Sequence, residues 1–245
     1  MKVLITGGTG FIGFWVAGWN PTAETTVLDH RYYDNFPRWV EMDWDYIIHL
    51  APVPVDRVIE CATRNNATVL LASSGGVYDR NPDDYFRMKI DDERKLLESG
   101  LDVRIARIFT TCGAKMKWER YAIGNFIKQA EAGGPINVQS YGLVVRSYMY
   151  GLDLAEWLWT ILLHGEPGGV YNVGSDEPHS THELAFEVAD HFVPTPAVNI
   201  IRRMSPEPRP FYVPDISKAR DELGLSIKVP FAEAVRRTVG DYRDE

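Results

Sequence analysis

The sequence predicts an α/β fold with a doubly wound parallel sheet and a smaller C-terminal lobe. In the N-terminal half, short and continuously apolar runs alternate with amphipathic stretches. Continuous apolar runs are typical of strands buried on both faces, and their alternation with helices indicates a parallel sheet. The first run also stops abruptly at glycines, which marks a strand end. We expect 1–113, with 143–175 returning to it, to form the sheet domain, and 114–142 with 176–245 to form the lobe.

The predicted strands of the sheet domain are short runs rich in apolar and β-branched residues. They are "KVLIT" (2–6), "TTVLDH" (25–30), "YIIHLAP" (46–52), "ATVLLASS" (67–74) and "VRIARIF" (103–109). The predicted helices between them carry apolar residues at helical spacing. They are "FIGFWVAGW" (11–19), "VDRVIECATR" (55–64) and "DDYFRMKIDDERKLLESG" (83–100). The last of these has acidic residues early and a glycine as its stop, as a helix end requires.

After Gly113 the alternation loosens, which indicates the second, partly interleaved lobe. Predicted helices in this part include "AIGNFIKQAEAG", "DLAEWLWTILLHG" and the two amphipathic stretches "DISKARDELGL" and "FAEAVRRTVGDY". "VYNVG" (170–174) reads as a further strand. Ser180 and Glu183 have the spacing of a capping box and predict a helix start.

Length and charge restrict the class of protein. A chain of 245 residues with 45% apolar and 24% charged residues suits one large or two small globular domains. The net charge of −8 and the lack of a basic run argue against a nucleic-acid partner. The apolar run at 157–163 is too short to span a membrane. Cys61 and Cys112 stand in unrelated contexts, so we expect reduced thiols in a cytoplasmic protein.

No metal site is expected. His179 and His182 are close in sequence, but no third ligand lies near them and both flank the helix cap at Ser180. A metal site needs three or four ligands, so these histidines are interpreted as surface residues.

The glycine-rich turn "TGGTGFIG" (6–13) follows the first strand and opens the first helix. Gly7, Gly10 and Gly13 permit a tight turn, and the N-terminal amides of the helix, at Phe11 and Ile12 among others, can face a pyrophosphate. Strand, turn and helix in this order predict a Rossmann-type dinucleotide site. Asp29, at the end of the second strand, can accept hydrogen bonds from ribose hydroxyls and would repel a 2′-phosphate, so NAD is favoured over NADP.

A candidate catalytic set follows the fourth strand. Tyr85 and Lys89 are four residues apart on a predicted helix and therefore share a face. A free tyrosine has a pKa of ~10, and a neighbouring ammonium favours its phenolate, which makes it a better base. Tyr85 would then take a proton from a substrate hydroxyl while hydride leaves the carbon. Ser74, just past the strand end, would hydrogen-bond the same oxygen, and Lys89 would also hold the nicotinamide ribose.

The chain resembles the extended short-chain dehydrogenases/reductases, the group of nucleotide-sugar epimerases, dehydratases and ketoreductases. The matching pieces run in family order over nearly the whole chain: "TGGTGFIG", "IIHLAP", "SSGGVY", Tyr85-x-x-x-Lys89, "ARIFTTCG", "RSYMYGLDLA", "YNVGS" and "DISKARDELG". The resemblance implies an NAD-dependent enzyme that acts on a nucleotide sugar.

Further site residues are implied by the same resemblance. Leu50 and Ala51 of "IIHLAP" join the expected NAD contacts, as does Asp43, which ends "RWVEMD" (38–43), where we expect the adenine-side strand. On the substrate side the implied residues are Thr110, Asn125, Arg146 and Arg209. Guanidinium groups suit phosphate oxygens, so both arginines are expected on the nucleotide diphosphate.

The chain departs from the family pattern in two ways. The segment between Ser74 and Tyr85 and other surface connections are shortened, although ten linking residues can still span ~35 Å. Gly75 and Gly76 stand where sugar 4,6-dehydratases carry an acidic pair and where decarboxylases have a glutamate. A glycine has no group that transfers a proton, so 4,6-dehydration is not expected. Thr110 and Cys112 replace a usual asparagine and tyrosine.

These observations favour a functional active site in a fold whose surface connections are shortened. The first hypothesis is an NAD-dependent nucleotide-sugar 4-epimerase. The alternatives are a 4-ketoreductase that consumes reduced cofactor, and a dinucleotide-binding sensor or scaffold without catalysis. A homodimer is plausible from the family resemblance, and neither nucleic acid nor membrane is an expected partner.

Overall fold

The structure is a computed structural model that describes six stretches of the chain: 1–19, 24–28, 39–51, 53–139, 144–201 and 211–245. The chain divides into two compact units. The first comprises Met1–Ile108, Leu154–Val173 and Ile216–Ser226. The second comprises Phe109–Asp153, Gly174–Asp215 and Ile227–Glu245.

The first unit is organised around a parallel sheet. Its strands are β1 (Lys2–Thr6), β2 (Glu24–Leu28), β3 (Tyr46–His49), β4 (Thr68–Ser74), β5 (Val103–Ile108) and β10 (Val170–Val173). They are arranged in the order β10-β5-β4-β3-β1-β2, and every neighbouring pair is parallel. After β1 the chain runs to β2 at one edge of the sheet and then crosses to β3, on the other side of β1. This reversal creates a topological switch point between β1 and β3. The predicted Rossmann-type α/β fold is confirmed.

The helices of this unit have almost the bounds that their apolar spacing predicts. They are α1 (Phe11–Gly18), α2 (Val55–Asn65), α3 (Asp84–Glu98), α7 (Ser217–Leu223) and all but the first turn of α5 (Gly151–His164). The inner strands β1, β3, β4 and β5 are almost fully buried, with Leu4, Ile47 and Leu70 at 0% exposure, whereas the edge strand β2 is mostly exposed or half-buried. Burial on both faces explains why these strands are continuously apolar rather than alternating.

The prediction of a strand over 38–43 is wrong for the described part of that range. Trp39 and Val40 are helical, and both pack into the core cluster with Leu4 and Leu28. The Trp44 indole nitrogen donates to the Trp39 carbonyl oxygen at 2.7 Å and fixes the turn that leads into β3. The apolar residues of this segment therefore fill the core from a short turn.

The second unit contains small sheets and helices. Short strands β6 (Thr111–Cys112) and β9 (Met149–Tyr150) pair in parallel, as do β7 (Ile136–Val138) and β12 (Val198–Ile200). Strand β8 (Val145–Arg146) lies between β11 (His179–Ser180) and β13 (Phe211–Tyr212). The helices are α4 (Ala122–Glu131), α6 (Thr181–Ala189) and α8 (Phe231–Arg243).

Two further sequence predictions can be compared with the structure. The capping box is confirmed, because the Ser180 hydroxyl accepts from the Glu183 amide at 3.1 Å and the Glu183 carboxylate accepts from the Ser180 amide at 2.7 Å. Both cysteines are buried and free. In the described stretches, every helix is too short or too polar to cross a bilayer.

Candidate functional site

The glycine turn is packed so tightly that side chains are excluded from it. Gly7 has a φ of +73°, which glycine adopts without strain. A Cβ at Gly13 would lie 2.3 Å from both the Gly7 carbonyl oxygen and the Gly8 Cα, and one at Gly8 would lie 2.4 Å from a Val27 methyl. The glycines therefore allow the first turn of α1 to lie directly on the end of β1.

The N-terminus of α1 is suited to an anion. Its N-cap residue is Gly10, which offers no side-chain hydrogen bond, and the first turn contains no acidic residue. The N-terminal amides of this helix therefore receive no hydrogen-bond acceptor from a Gly10 side chain. They lie at the positive end of the helix dipole. Because side chains are excluded from the turn, a pyrophosphate could approach the backbone closely, and the residues present fit a dinucleotide such as NAD.

Leu50 and Ala51, which follow β3, lie beside the glycine turn. The Leu50 amide donates to the Thr6 carbonyl oxygen at 3.1 Å, and a Cβ at Gly7 would lie 3.0 Å from the Ala51 nitrogen. The structure thus brings Gly7, Gly10, Gly13 and these two residues to one edge of the sheet. Phe11 and Ile12 occupy the first turn of α1 and are half-buried.

Two residues predicted to bind the cofactor, Asp29 and Asp43, are not shown beside the glycine turn. Asp29 lies outside the described residues. Asp43 is exposed and precedes β3, on the side where β1 and β2 begin, since the neighbouring Asp45 carboxylate accepts from the Lys2 amide at 2.7 Å. Dinucleotides bind at the opposite, carboxyl edge of such sheets. The structure therefore does not bring Asp43 to the glycine turn, because the segment 39–44 turns back into β3 instead of forming a strand.

The serine pair at the end of β4 is split into two environments. Ser73 is buried, and its hydroxyl donates to the Glu93 carboxylate. Ser74 is half-buried and accepts a hydrogen bond from the Gly76 amide at 3.2 Å, which starts the 3-10 turn Gly75–Tyr78. The side chain of Ser74 thus stands at the carboxyl edge of the sheet, where its sequence position predicts a substrate contact.

Lys89 is buried against the same strand, with only 4% of its surface exposed. Its Nζ atom donates to the Ala72 carbonyl oxygen at 3.0 Å, two residues before Ser74. Burial lowers the pKa of Lys89, while the nearby carboxylates of Asp92 and Glu93 oppose that shift. A desolvated ammonium beside a strand end is unusual for a surface helix and is typical of a functional lysine.

Tyr85 stands one helical turn before Lys89. It is the second residue of α3, whose N-cap is Asp83, with the carboxylate accepting from the Phe86 amide at 3.0 Å. The Tyr85 side chain is 53% exposed, and its ring makes an edge contact with the Phe86 ring at 5.4 Å between centroids. Tyr85 and Lys89 therefore share a helix and, by their four-residue spacing, a face, with the tyrosine more than half exposed and the lysine buried.

The Phe86 ring occupies the place of a missing side chain. A Cβ built on Gly76 would lie 2.1, 2.2 and 2.5 Å from three atoms of that ring. Both Gly75 and Gly76 are buried. The two residues that follow Ser74 thus carry no acid or base, and an apolar ring fills the space that a side chain at position 76 would need.

Sequence reasoning did not single out three residues that lie next to this group, namely Glu93, Arg107 and Tyr78. The Glu93 carboxylate, 5% exposed, accepts from the Arg107 guanidinium at 3.1 and 2.6 Å and from the Ser73 hydroxyl. Glu93 lies four residues after Lys89, so the helical spacing could have indicated it, whereas nothing in the sequence pairs it with Arg107 on β5. Arg107 also lies over the Tyr78 ring at 4.7 Å, and the Tyr78 hydroxyl donates to Asn172 at 2.9 Å.

The expected substrate residues in the second unit have mixed placements. The half-buried Arg146 guanidinium lies 5.1 Å above the Tyr212 ring, which in turn contacts Phe109 at 4.6 Å. The Asn125 side-chain nitrogen donates to the main-chain carbonyl oxygens of Glu119 and Tyr121, so this group is bonded to the segment that leads into α4.

Of the other two expected substrate residues, Thr110 is half-buried, and its carbonyl oxygen accepts from the Met149 amide at 3.1 Å. Arg209 lies outside the described residues.

His179, one of the two histidines near Ser180, packs against an aromatic ring and a carboxylate. The His179 ring stacks on Phe231 at 3.6 Å between centroids and lies 3.2 Å from a Glu177 carboxylate oxygen. Over the described residues, no group of three or more His, Cys, Asp or Glu side chains is arranged to hold a metal ion.

Comparisons with known proteins agree with this architecture. The model of the NAD dependent epimerase/dehydratase family matches residues 53–174. UDP-glucuronic acid decarboxylase 6 of Arabidopsis thaliana is 28% identical over 99% of this chain and 89% of its own length. UDP-glucuronic acid decarboxylase 1 of Danio rerio is 26% identical over 100% of this chain and 73% of its own length.

Two solved structures have the same fold. The UDP-glucose 4-epimerase of Thermus thermophilus, in complex with NAD, superposes with a TM-score of 0.83 at 23% identity and covers 99% of both chains. The dTDP-glucose 4,6-dehydratase of Bacillus anthracis, also in complex with NAD, gives 0.82 at 16% identity over 100% of this chain and 97% of the other. With the glycine turn, Lys89 buried beside the serine pair and the family match, the chain belongs to the NAD dependent epimerase/dehydratase family of extended short-chain dehydrogenases/reductases, whose cofactor is NAD.

Proposed function

We propose that this protein oxidises and re-reduces C4 of a nucleoside-diphosphate sugar and acts as a 4-epimerase. The observation that carries the proposal is the end of β4, where Lys89 is buried against the strand that ends in Ser74, while the two residues directly after Ser74 are Gly75 and Gly76. A site with one acid/base tyrosine and no carboxyl group directly after Ser74 supports hydride chemistry at one carbon.

Each residue has a defined task in this proposal. Bound NAD would accept a hydride from C4 and return it to the opposite face of the ketone, so that no cofactor is consumed. Tyr85 removes the C4 hydroxyl proton and gives it back on re-reduction. Ser74 donates a hydrogen bond to the same oxygen. The buried Lys89 ammonium favours the Tyr85 phenolate, because a charge acts strongly where water is excluded.

The residues expected to contact the nucleotide belong to the second unit. Arg146 is proposed to bind the diphosphate, and its position over the Tyr212 ring holds the guanidinium plane while its edge stays available for phosphate oxygens. Arg209 and Thr110 remain predictions from the family resemblance. Asn125 is a weaker candidate, because its side-chain nitrogen already donates to two main-chain carbonyl oxygens before α4.

A second candidate is decarboxylation of a nucleotide-linked uronic acid. It is favoured by the full-length similarity to two UDP-glucuronic acid decarboxylases. Oxidation at C4 of such a sugar places a ketone β to the C6 carboxylate, and an acid of this kind loses CO2 with its electron pair passing to the enolate. Against it stands the Phe86 ring, which fills the space beside Gly76 where a carboxylate would need polar partners.

The deciding experiment is incubation of the purified protein and NAD with UDP-glucose, dTDP-glucose, UDP-N-acetylglucosamine and UDP-glucuronate in parallel. A 4-epimerase gives the C4 epimer without net change in reduced cofactor, and a C4-deuterated sugar keeps its label in the product. Release of CO2 from UDP-glucuronate would support the second candidate instead. Stoichiometric loss of NADH with a 4-keto sugar would identify a 4-ketoreductase. NAD binding without turnover of any sugar would favour the third hypothesis, a dinucleotide-binding sensor or scaffold.

We further propose that the protein is cytoplasmic and forms a homodimer. Analytical ultracentrifugation would measure its oligomeric state.

A further inference from the structure

The buried Glu93 joins three elements of the sheet domain. From α3 its carboxylate accepts two hydrogen bonds from Arg107 on β5, at 3.1 and 2.6 Å, and a third from the Ser73 hydroxyl on β4. A bidentate guanidinium–carboxylate pair has a fixed plane and is among the most geometrically restrictive contacts in proteins. The pair therefore fixes both the rotation of α3 and its position along the sheet.

The contact lies one turn from the candidate catalytic lysine. Lys89 and Glu93 are four residues apart, so both face β4, and both are at least 95% buried. Lys89 binds the Ala72 carbonyl oxygen while Glu93 binds the hydroxyl of the next residue, Ser73. Two adjacent residues of the strand are thus held by two adjacent turns of the helix.

We propose that Glu93 is a positioning residue, which holds α3 in register through Arg107 and Ser73 so that Lys89 and Tyr85 stand at the end of β4. The assignment of the reaction rests on the function proposed above. Reacting groups must be held within a fraction of an ångström, and a displacement of ~1 Å costs ~100-fold in rate. The Glu93 charge also opposes the lowering of the Lys89 pKa that burial causes.

The proposal gives the serine pair two separate roles. The buried Ser73 donates a hydrogen bond from its hydroxyl to the Glu93 carboxylate, so it helps to hold α3 in position. Ser74 is left to contact the substrate. Removal of the Ser73 hydroxyl should therefore reduce turnover without changing substrate affinity, and threonine should restore it.

The test compares Glu93→Gln, Ser73→Ala and Ser73→Thr with the control Glu98→Gln, which removes an exposed ion pair to Arg94 on the same helix. Turnover is measured per mole of folded protein, determined by circular dichroism. We expect kcat to fall ~100-fold in Glu93→Gln and ~5-fold to ~10-fold in Ser73→Ala, with KM for the sugar within ~3-fold of wild type. Ser73→Thr and Glu98→Gln should stay within ~2-fold.

A second readout does not depend on activity. Reductive methylation with formaldehyde, followed by mass spectrometry, reports the accessibility of Lys89, with the exposed Lys128 as the internal reference. Lys89 should react at least ~10-fold faster in Glu93→Gln than in wild type, because a helix without its anchor exposes the buried ammonium.

The outcomes separate this inference from the proposed function. A folded Glu93→Gln protein with wild-type kcat and a protected Lys89 would overturn the positioning role. If Glu93→Gln does not fold, equal activity of Ser73→Ala and Ser73→Thr would overturn it as well. If wild type turns over no nucleotide sugar, the proposed function fails, while the Lys89 methylation rates still decide whether Glu93 positions the helix.

Discussion

The Lys89 ammonium donates a hydrogen bond of 3.0 Å to the main-chain carbonyl oxygen of Ala72. This contact anchors the helix that carries Tyr85 to the strand that ends in Ser74. The ammonium is almost fully withdrawn from water, and burial is the main cause of its lowered pKa. A charge in such a position costs stability, so its presence at a sheet edge next to the serine pair is best explained by function.

Lys89→Met should therefore lower activity without lowering the stability of the fold. Methionine has a similar length and no charge, so the variant should be between equally stable and ~1 kcal/mol more stable than wild type in urea unfolding. Turnover should fall at least ~100-fold because the Tyr85 phenolate loses its ammonium. Lys95→Met, on the exposed part of the same helix, should leave turnover unchanged. Strong destabilisation of Lys89→Met with normal residual kcat would mean that the lysine is only structural.

Tyr85→Phe should remove the acid/base group and little else. The ring contact with Phe86 stays, so the melting temperature and NAD affinity should be close to wild type, while turnover falls at least ~100-fold. Tyr121→Phe, at another exposed tyrosine, is the matched control. Turnover is followed by separation of the C4 epimers. Full activity of Tyr85→Phe would refute the mechanism proposed above.

Gly76→Ala should be destabilised by the ring of Phe86. The new Cβ would lie 2.1 Å from a ring atom, and overpacking of this kind costs ~1–3 kcal/mol. Gly240→Ala, within α8 where no atom lies within 4 Å of the new Cβ, should be neutral or ~0.5–1 kcal/mol more stable. Urea unfolding of Gly76→Ala, Phe86→Ala and the double variant forms a cycle. The double variant should recover stability relative to the sum of the single ones, and simple additivity would show that the two residues do not compete for the same space.

Gly13→Ala should weaken NAD binding. Its Cβ would lie 2.3 Å from the Gly7 carbonyl oxygen and the Gly8 Cα, so the turn must open and its amides move away from the pyrophosphate. Calorimetric titration with NAD should show at least ~10-fold weaker binding, because several charge-assisted hydrogen bonds are misplaced. Gly18→Ala on the same helix has open space around its Cβ and serves as the control. Equal NAD affinity in Gly13→Ala and Gly18→Ala would contradict the assigned pyrophosphate site.

The sequence was sufficient for contacts that are local or that follow a repeating pattern. The strands and helices of the sheet domain were predicted to within a few residues, because their apolar spacing reflects burial on both faces. The glycine turn was predicted because its three glycines lie within one short segment. Tyr85 and Lys89 were placed on one helix face by their four-residue spacing alone.

Contacts between distant segments could not be predicted in this way. Glu93 and Arg107 are separated by the end of α3 and a connecting turn, and either could equally well have formed a surface ion pair. The division of labour between Ser73 and Ser74 depends on which face of β4 meets α3. The Phe86 ring meets Gly76 across the connection between β4 and α3, ten residues apart in sequence, and no local pattern predicts that contact. The strand expected over 38–43 failed because Trp39 and Val40 pack into the core from a helical turn.

His49 provides a test of the core beneath the site at acid pH. Its ring is fully buried next to the glycine turn, and its Nδ1 atom lies 2.8 Å from the Thr6 hydroxyl oxygen. Desolvation, with a smaller contribution from the Lys89 charge, lowers the pKa of His49 from 6.5 to about 3. Below pH 6.5 the unfolded chain binds a proton that the folded chain does not accept, so the free energy of unfolding must fall as the pH drops.

Between pH 7 and pH 5 this single group should remove about 2 kcal/mol of stability, since each pH unit well below the unfolded pKa corresponds to ~1.4 kcal/mol. His49→Asn keeps a hydrogen-bonding side chain beside Thr6 and cannot take up a proton. The free energy of unfolding of this variant should therefore fall by about 2 kcal/mol less than that of wild type between pH 7 and pH 5, whatever its stability at pH 7. His164→Asn leaves His49 in place and should keep the wild-type difference. Urea unfolding at both pH values measures all three proteins. An equally steep loss in His49→Asn would show that the buried imidazole does not limit stability in acid.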